Sequence, residues 1–353
     1  MYHPYPDIIN RYIQIAMDSR ELGISSRNQF IFLRCCLMGR FSELDPAHIK
    51  TYSAADRVSK VRTAFQAVPP WKGMSVSEFL KGLPAILKAE DLIAAARAIA
   101  AAKKDGRPVI VMLGGHVVKC GCVPILLNMA ERGFISCFAS NGAAAIHDAE
   151  LAAWGQTSED VASRLEDGSF GMASDTAEIL NTAAKRACET QAGFGESLGV
   201  LLEERKYPFR DGSLAAGSLR FQIPYTVHVA IGADIVHQHP DADGKAIGDA
   251  SLRDFRIFAS VVSQLGEGGV VMNLGSAVIM PEVFLKALSL ARNLGHPVRN
   301  FTTVNMDMIQ HYRPTVNVVQ RPVLAGGRGY SLTGHHEIMI PLLAAAVCEE
   351  SDE

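Results

Sequence analysis

Residues 108–115 read Pro-Val-Ile-Val-Met-Leu-Gly-Gly, five apolar residues opened by proline and stopped by two glycines. So short and uniformly apolar a run leaves no side for water, and it predicts a strand covered on both faces, as in a parallel sheet. Upstream, an alanine-rich helix is predicted over 89–104, ending at Asp105-Gly106, and Ser75 precedes Glu78 by three, the spacing of a capping box. Downstream the alternation continues. A helix is predicted over 123–132, a strand over 134–139 and a loop at Ser140-Asn141-Gly142. Further strands are predicted over 225–231, 269–274 and 299–303, with helices over 251–264 and 281–293. Strand, glycine loop and helix in repetition predict an α/β fold, a Rossmann-like doubly wound, mostly parallel sheet. Val68-Pro69-Pro70-Trp71 is a strong breaker, because proline restricts itself and its predecessor. It separates an N-terminal, partly helical extension (1–70) from the main domain (71–353).

In open α/β sheets ligands bind beyond the carboxyl ends of the strands. Those ends are read as Gly114-Gly115-His116, Asn141-Gly142, Gly232-Ala233-Asp234, Gly275-Ser276 and Thr302-Thr303-Val304-Asn305. Each combines small residues with a hydrogen-bonding group. None is a complete GxGxxG, and any one glycine also serves a tight turn, but five in succession point to a nucleotide or phosphate-bearing ligand.

Three polar clusters are candidates for chemistry. His147, Asp148 and Glu150 follow Asn141 closely, and a carboxylate beside an imidazole could move a proton; the alternative is that Asp148 caps a helix start. His237, His239, Asp241 and Asp243 alternate along one loop, where they could hold a divalent transition metal and activate water for a hydrolase or lyase, or form ordinary turns. His335, His336 and Glu337 precede the apolar run 338–347, with Gly326-Gly327, Arg321 and Arg328 upstream as an anion clamp or a surface loop. A covalent lysine mechanism would need Lys119, Lys245 or Lys286.

Composition narrows the classes. The 353 residues are 48% hydrophobic and 20% charged, which argues for a folded globular chain. Lys+Arg 34 against Asp+Glu 37 leaves a formal charge of -3 with no basic stripe, so nucleic acid is not an expected partner. No signal peptide is read at the amino terminus and no run reaches membrane-spanning length. The 7 cysteines, among them adjacent Cys35-Cys36 and the pair Cys120 and Cys122, are few and odd in number, the usage of a reduced, cytoplasmic protein. Cys120 and Cys122 are read as small buried hydrophobes rather than metal ligands.

Together the segments GMSVSEFLKGLPAILKAEDL (73–92), VIVMLGGHVVKCGCVPILLNMAERGFI (109–135), NGAAAIHDAE (141–150), IPYTVHVAIGADI (223–235), GGVVMNLGSAVIMPEVFLKA (268–287) and IMIPLLAAAV (338–347) resemble the deoxyhypusine synthase family. The resemblance implies a Rossmann-like sheet, NAD at the strand ends and a homotetramer. It would place Gly114, Gly115 and His116 on the dinucleotide, with Asn141, Gly142, Asp234, Gly275 and Ser276 nearby. His147 and Asp148 fall where the family has carboxylates, and His335 near its ribose-binding Asp. The chain departs from the family at its imine-forming lysine, where it offers Gln320-Arg321-Pro322, and arginine cannot act as that nucleophile. Met280-Pro281 replaces the family's polyamine-binding His, and its Trp has no counterpart. The expectation is therefore a protein that binds NAD and a small, amine-bearing substrate, as an oxidoreductase or transferase, without true deoxyhypusine synthesis; a ligand-binding descendant without catalysis is the alternative.

Overall fold

Ser75 does cap a helix: its Oγ accepts from Glu78 N at 3.2 Å while its own N–H donates to Glu78 Oε2 at 2.8 Å. In this computed structural model, which describes residues 42–351 together with Asn10, Gln14 and Met17, that cap opens α1 (Val76–Lys81). Most of the lead-in, with Cys35 and Cys36, lies outside the described residues. The chain divides into two compact units, Met1–Lys60 and Val61–Glu353. In the first, Pro46–His48 and Ala54–Asp56 are single 3-10 turns.

The second unit alternates as its sequence suggests. After α2 (Leu87–Lys104) come β1 (Val109–Leu113), α3 (Gly115–Lys119), α4 (Val123–Glu131), β2 (Cys137–Asn141) and α5 (Gly142–Trp154). Three helices, α6 (Val161–Glu166), α7 (Ser174–Thr190) and α8 (Phe194–Glu204), then precede α9 (Leu214–Arg220) and β3 (Tyr225–His228). The rest is α10 (Gly244–Val262), β4 (Val270–Leu274), α11 (Ile279–Asn293), β5 (Phe301–Asp307), β6 (Gly327–Thr333) and α12 (His336–Glu349). Between β5 and β6 the chain makes a π-helical turn, Thr315–Gln320, and a 3-10 turn, Arg321–Ala325.

Among the described residues six strands form one sheet, all parallel, in the order β3-β2-β1-β4-β5-β6. This is the doubly wound Rossmann order, with its reversal between β1 and β4. Every residue of β1 and β4 is buried, as central strands require. Val109, Val111 and Leu113 enter the core formed with α2, α4, α5, α9 and α12, whereas Ile110 and Met112 face α10 and α11. Among the described residues no helix is long and apolar enough to cross a membrane.

Two expectations are corrected here. The fifth strand does not end at 303 but runs to Asp307, because Asn305 is satisfied inside the sheet: Asn273 Nδ2 donates to its Oδ1 and its Nδ2 donates to Gln310 Oε1, both at 2.7 Å. Thr302 and Thr303 thus lie at the amino-terminal part of β5, and Thr302 lines a separate cavity of about 720 Å³. The segment around Gly327 and Arg328 is no surface loop or clamp but the start of edge strand β6, paired from Phe301↔Gly327 to Asp307↔Thr333.

Candidate functional site

Because the strands are parallel, the residues that follow β1 to β4 share one end of the sheet: His116 after β1, Asn141 at the end of β2, Asp234 after β3 and Ser276 after β4. At the reversal point Gly114 packs on Gly275, where an added Cβ would come within 2.5 Å of the Gly275 carbonyl oxygen. The His336 imidazole lies against Gly275, edge-on to His116 with ring centroids 5.7 Å apart. Ser276 Oγ accepts from Met280 N at 3.2 Å. His335 is the N-cap residue of α12, exposed, with Nδ1 3.9 Å from Glu337.

Beside this point, at the ends of β2 and β3, opens a crevice of about 630 Å³ between α3, α5, the loop after β3 and residues 156–176. Asn141 starts α5 by accepting from Ala144 N at 3.1 Å. Helical periodicity then turns His147 and Glu150, three apart, into the crevice, with Ile146 and Trp154 beside them. Gly142 must be glycine, since a Cβ there would overlap the Asp234 carboxylate. Asp234 is buried and accepts from Ala230 N at 3.2 Å; burial raises its pKa, against the pull of that bond and of His237.

The polar centre of the crevice is a chain of four side chains. His147 Nδ1 and Thr157 Oγ1 are 2.8 Å apart, Thr157 donates to Glu150 Oε2, and Thr176 Oγ1 donates to Glu150 Oε1 at 2.9 Å. Burial pushes the Glu150 carboxyl up, but the nearby His147 imidazole and hydrogen bonds from Thr157 and Thr176 outweigh it and hold the group below its ordinary value. Glu159, Asp175 and Lys119 also line the walls, with Phe170 and Trp154 as the large apolar surfaces. Thr157, Thr176, Lys119 and Trp154 carry no signal as a group: they come from three helices and the loop after α5, and only the fold brings them together.

Several candidates have other occupations. Asp148, one step around α5 from His147, faces away into the core. It accepts from Leu214 N (2.7 Å), Ala215 N (3.1 Å) and Ser213 Oγ (2.7 Å), and so closes the start of α9 instead of acting on a substrate. The proposed metal loop is also dispersed. His237 Nδ1 accepts from Gly232 N, His239 Nε2 donates to Gly171 O at 2.8 Å, Asp241 accepts from Asn181 at 3.0 Å and Asp243 caps α10. Among the described residues no three His, Cys, Asp or Glu side chains meet as metal ligands, so the loop does not form the metal site on which the hydrolase or lyase reading rests. Of the three candidate lysines, Lys119 alone lines the crevice; Lys286 pairs with Glu282. Arg321 donates to Asn317 at 2.8 Å. Cys122 is buried and its thiol is pushed up to about 11 by burial, while Cys120 lies 3.2 Å from His116 Nε2.

No protein-family model matches the chain, and no curated protein matches it. Solved structures do. A provisionally assigned LOR/SDH protein from Methanococcus maripaludis S2 is similar at 17% identity over 74% of this chain and 70% of that one, with a TM-score of 0.47. The ternary complex of AgrE with ornithine and NAD+ is similar at 14% identity over 74% of this chain, TM-score 0.47, and this chain spans 34% of its length. A provisionally assigned deoxyhypusine synthase from Entamoeba histolytica is similar at 12% identity over 78% of this chain and 93% of that one, TM-score 0.46. These likenesses concern fold and assign no family.

Proposed function

We propose that this protein binds NAD at the carboxyl end of the sheet and takes a small alkylamine into the adjoining crevice as an oxidoreductase or transferase. The observation that carries the amine is the charge of the walls: Glu150, Glu159, Asp175 and Asp234 stand against Lys119, with Trp154 and Phe170 alongside. Carboxylates and an aromatic face attract an ammonium on an apolar stem.

The residues present fit a dinucleotide in one respect that this structure supplies. Asn273 Oδ1 and His336 Nδ1, at the β4 end and beside Gly275, are buried acceptors with no partner among the described residues, and donors of a ribose or carboxamide would satisfy them. Gly114, Gly115, His116, Gly275 and Ser276 would hold the group across the ends of β1 and β4. The start of α5 would not hold the diphosphate, since Asp234 already sets a carboxylate against Gly142. When bound, NAD supplies a hydride acceptor. The chain's own part is to orient the amine on the carboxylates and to receive its proton at His147 Nε2, which no protein group bonds among the described residues. Transfer to a protein lysine as in deoxyhypusine synthesis is not part of this reading, because Arg321 and its tie to Asn317 stand where the resemblance calls for the reactive lysine.

Calorimetric titration with NAD, followed by NADH formation with a panel of polyamines against neutral alcohols of equal length, tests this. NAD binding with amine-dependent NADH is the expected result. No binding at millimolar NAD overturns it, and NAD binding without NADH from any amine would leave a ligand-binding protein without catalysis.

A further inference from the structure

We propose that Thr157 is a positioning residue that keeps the His147 proton on Nδ1 and leaves Nε2 as a base facing the crevice, and that this arrangement is complete only while segment 155–171 covers the site.

The argument is one of proton counting. A threonine hydroxyl has one proton and can otherwise only accept. Thr157 gives that proton to Glu150, which accepts at both oxygens from Thr157 and Thr176. Only a lone pair of Thr157 is then left for His147 Nδ1 at 2.8 Å, so Nδ1 must be the donor. A neutral imidazole with its proton on Nδ1 presents an unprotonated Nε2. The ring keeps 18% of its side-chain surface open, and Gly115 lets it approach α3 closely, since a Cβ would come within 3.0 Å of Cδ2. When Nε2 takes a proton, the imidazolium formed has Glu150 Oε2 3.6 Å from Nδ1 as its counter-charge. On the amine reading above, one proton passes from the substrate ammonium to Nε2, the ammonium becomes a neutral amine, and no other bond changes.

Thr157 differs from its partners in belonging to an exposed segment that covers the crevice. Segment 155–171 runs between two left-handed glycines, Gly155 (φ 68) and Gly171 (φ 77), and its helix α6 has no buried residue. The hydroxyl of Thr157 ties one end to α5, and the Gly171 carbonyl, accepting from His239, ties the other. Opening the cover to admit a substrate withdraws the oxygen that orients His147. The base is therefore armed by closure.

The tautomer is read in the ligand-free, full-length, ¹⁵N-labelled protein from two-bond ¹H–¹⁵N spectra, with His147 assigned by its loss in His147→Gln. Nδ1 is expected to be the protonated nitrogen of the neutral ring, and an Nε2 proton in the unmodified protein overturns the proposal without any variant. Thr157→Val should convert the single tautomer into a mixture and speed amide exchange over 156–170; Thr157→Ser should restore both. A Val variant with the Nδ1 proton retained also overturns it. With NAD and an amine, Thr157→Val should lower kcat by about 10²-fold with KM little changed. That last arm depends on the amine reading, whereas the spectra do not, so the two can fail separately.

Discussion

Asp148 illustrates how a sequence cluster is divided by a helix. His147 and Asp148 are adjacent, yet the turn of about 100° per residue sends one imidazole into the crevice and the neighbouring carboxylate into the core. There Asp148 meets two N–H groups of α9 and the hydroxyl of Ser213, which itself accepts from Ala216 N at 3.2 Å. Asp148→Ala would strand these donors, and a loss of about 1–3 kcal/mol in urea unfolding is expected, with the His147 tautomer unchanged. The group also has a pH signature. Burial raises Asp148 to about 6, against the hydrogen bonds from Ser213, Leu214 and Ala215 that pull it down. With the folded value above the unfolded one, the folded state holds the proton more tightly. Its favourable contribution is complete below about pH 4 and is lost as pH rises through about 6. Relative to Asp148→Asn, the unmodified protein should lose stability between those two pH values; a difference that is flat or of opposite sign across that window would contradict this assignment.

For the elements, the cover segment yields the sharpest expectation. Gly171 has φ 77, and a Cβ there would come within 2.8 Å of both Gln238 Nε2 and Ile235 Cβ. Gly171→Ala therefore carries the left-handed penalty of about 1–2 kcal/mol plus an overlap that the loop after β3 must absorb. Amide exchange over 156–170 should accelerate while exchange in β1 and β4 stays slow, and equal acceleration everywhere would mean that the segment is not an independent cover. Which elements were legible follows the same physics. β1, α2, α4 and α11 were plain because unbroken apolar runs and alanine faces bound by glycine leave one reading. β6 was missed since its sequence, Gly-Arg-Gly-Tyr-Ser-Leu-Thr, buries only Leu332 and is rich in glycine, as an edge strand permits. β5 was cut short because polar Asn305 and Asp307 resemble a loop until their buried partners are known.

In the whole molecule, the strand order decides what the sequence could and could not reveal about the site. The succession of glycine-polar strand ends was legible, and parallel pairing brings four of the five to one rim; the fifth is displaced because β5 ends four residues later, at Asp307. Convergence within the rim was not legible, since Thr157 and Thr176 carry no periodic or motif signal. The β3 edge of the sheet and its carboxyl end are treated differently. At β3, Asp254 and Ser251 of α10 accept from Val227 N (2.7 Å) and Val229 N (3.2 Å), so that edge is sealed by side chains. The carboxyl rim, by contrast, carries Ile231, Val278, Ile309, Tyr312 and Ile338, each exposed, from the segments that follow β3, β4, β5 and β6. Apolar side chains gathered from these four segments at one end are costly to leave in water, and a second copy of the chain is the occupant that the homotetramer implied by the sequence resemblance would supply. Light scattering at micromolar concentration should then find an assembly, and Ile309→Glu with Ile338→Glu should shift it to a smaller species that stays folded by circular dichroism, because neither residue enters the core. A monomer in the unmodified protein, or an assembly indifferent to both charges, would place any self-association elsewhere.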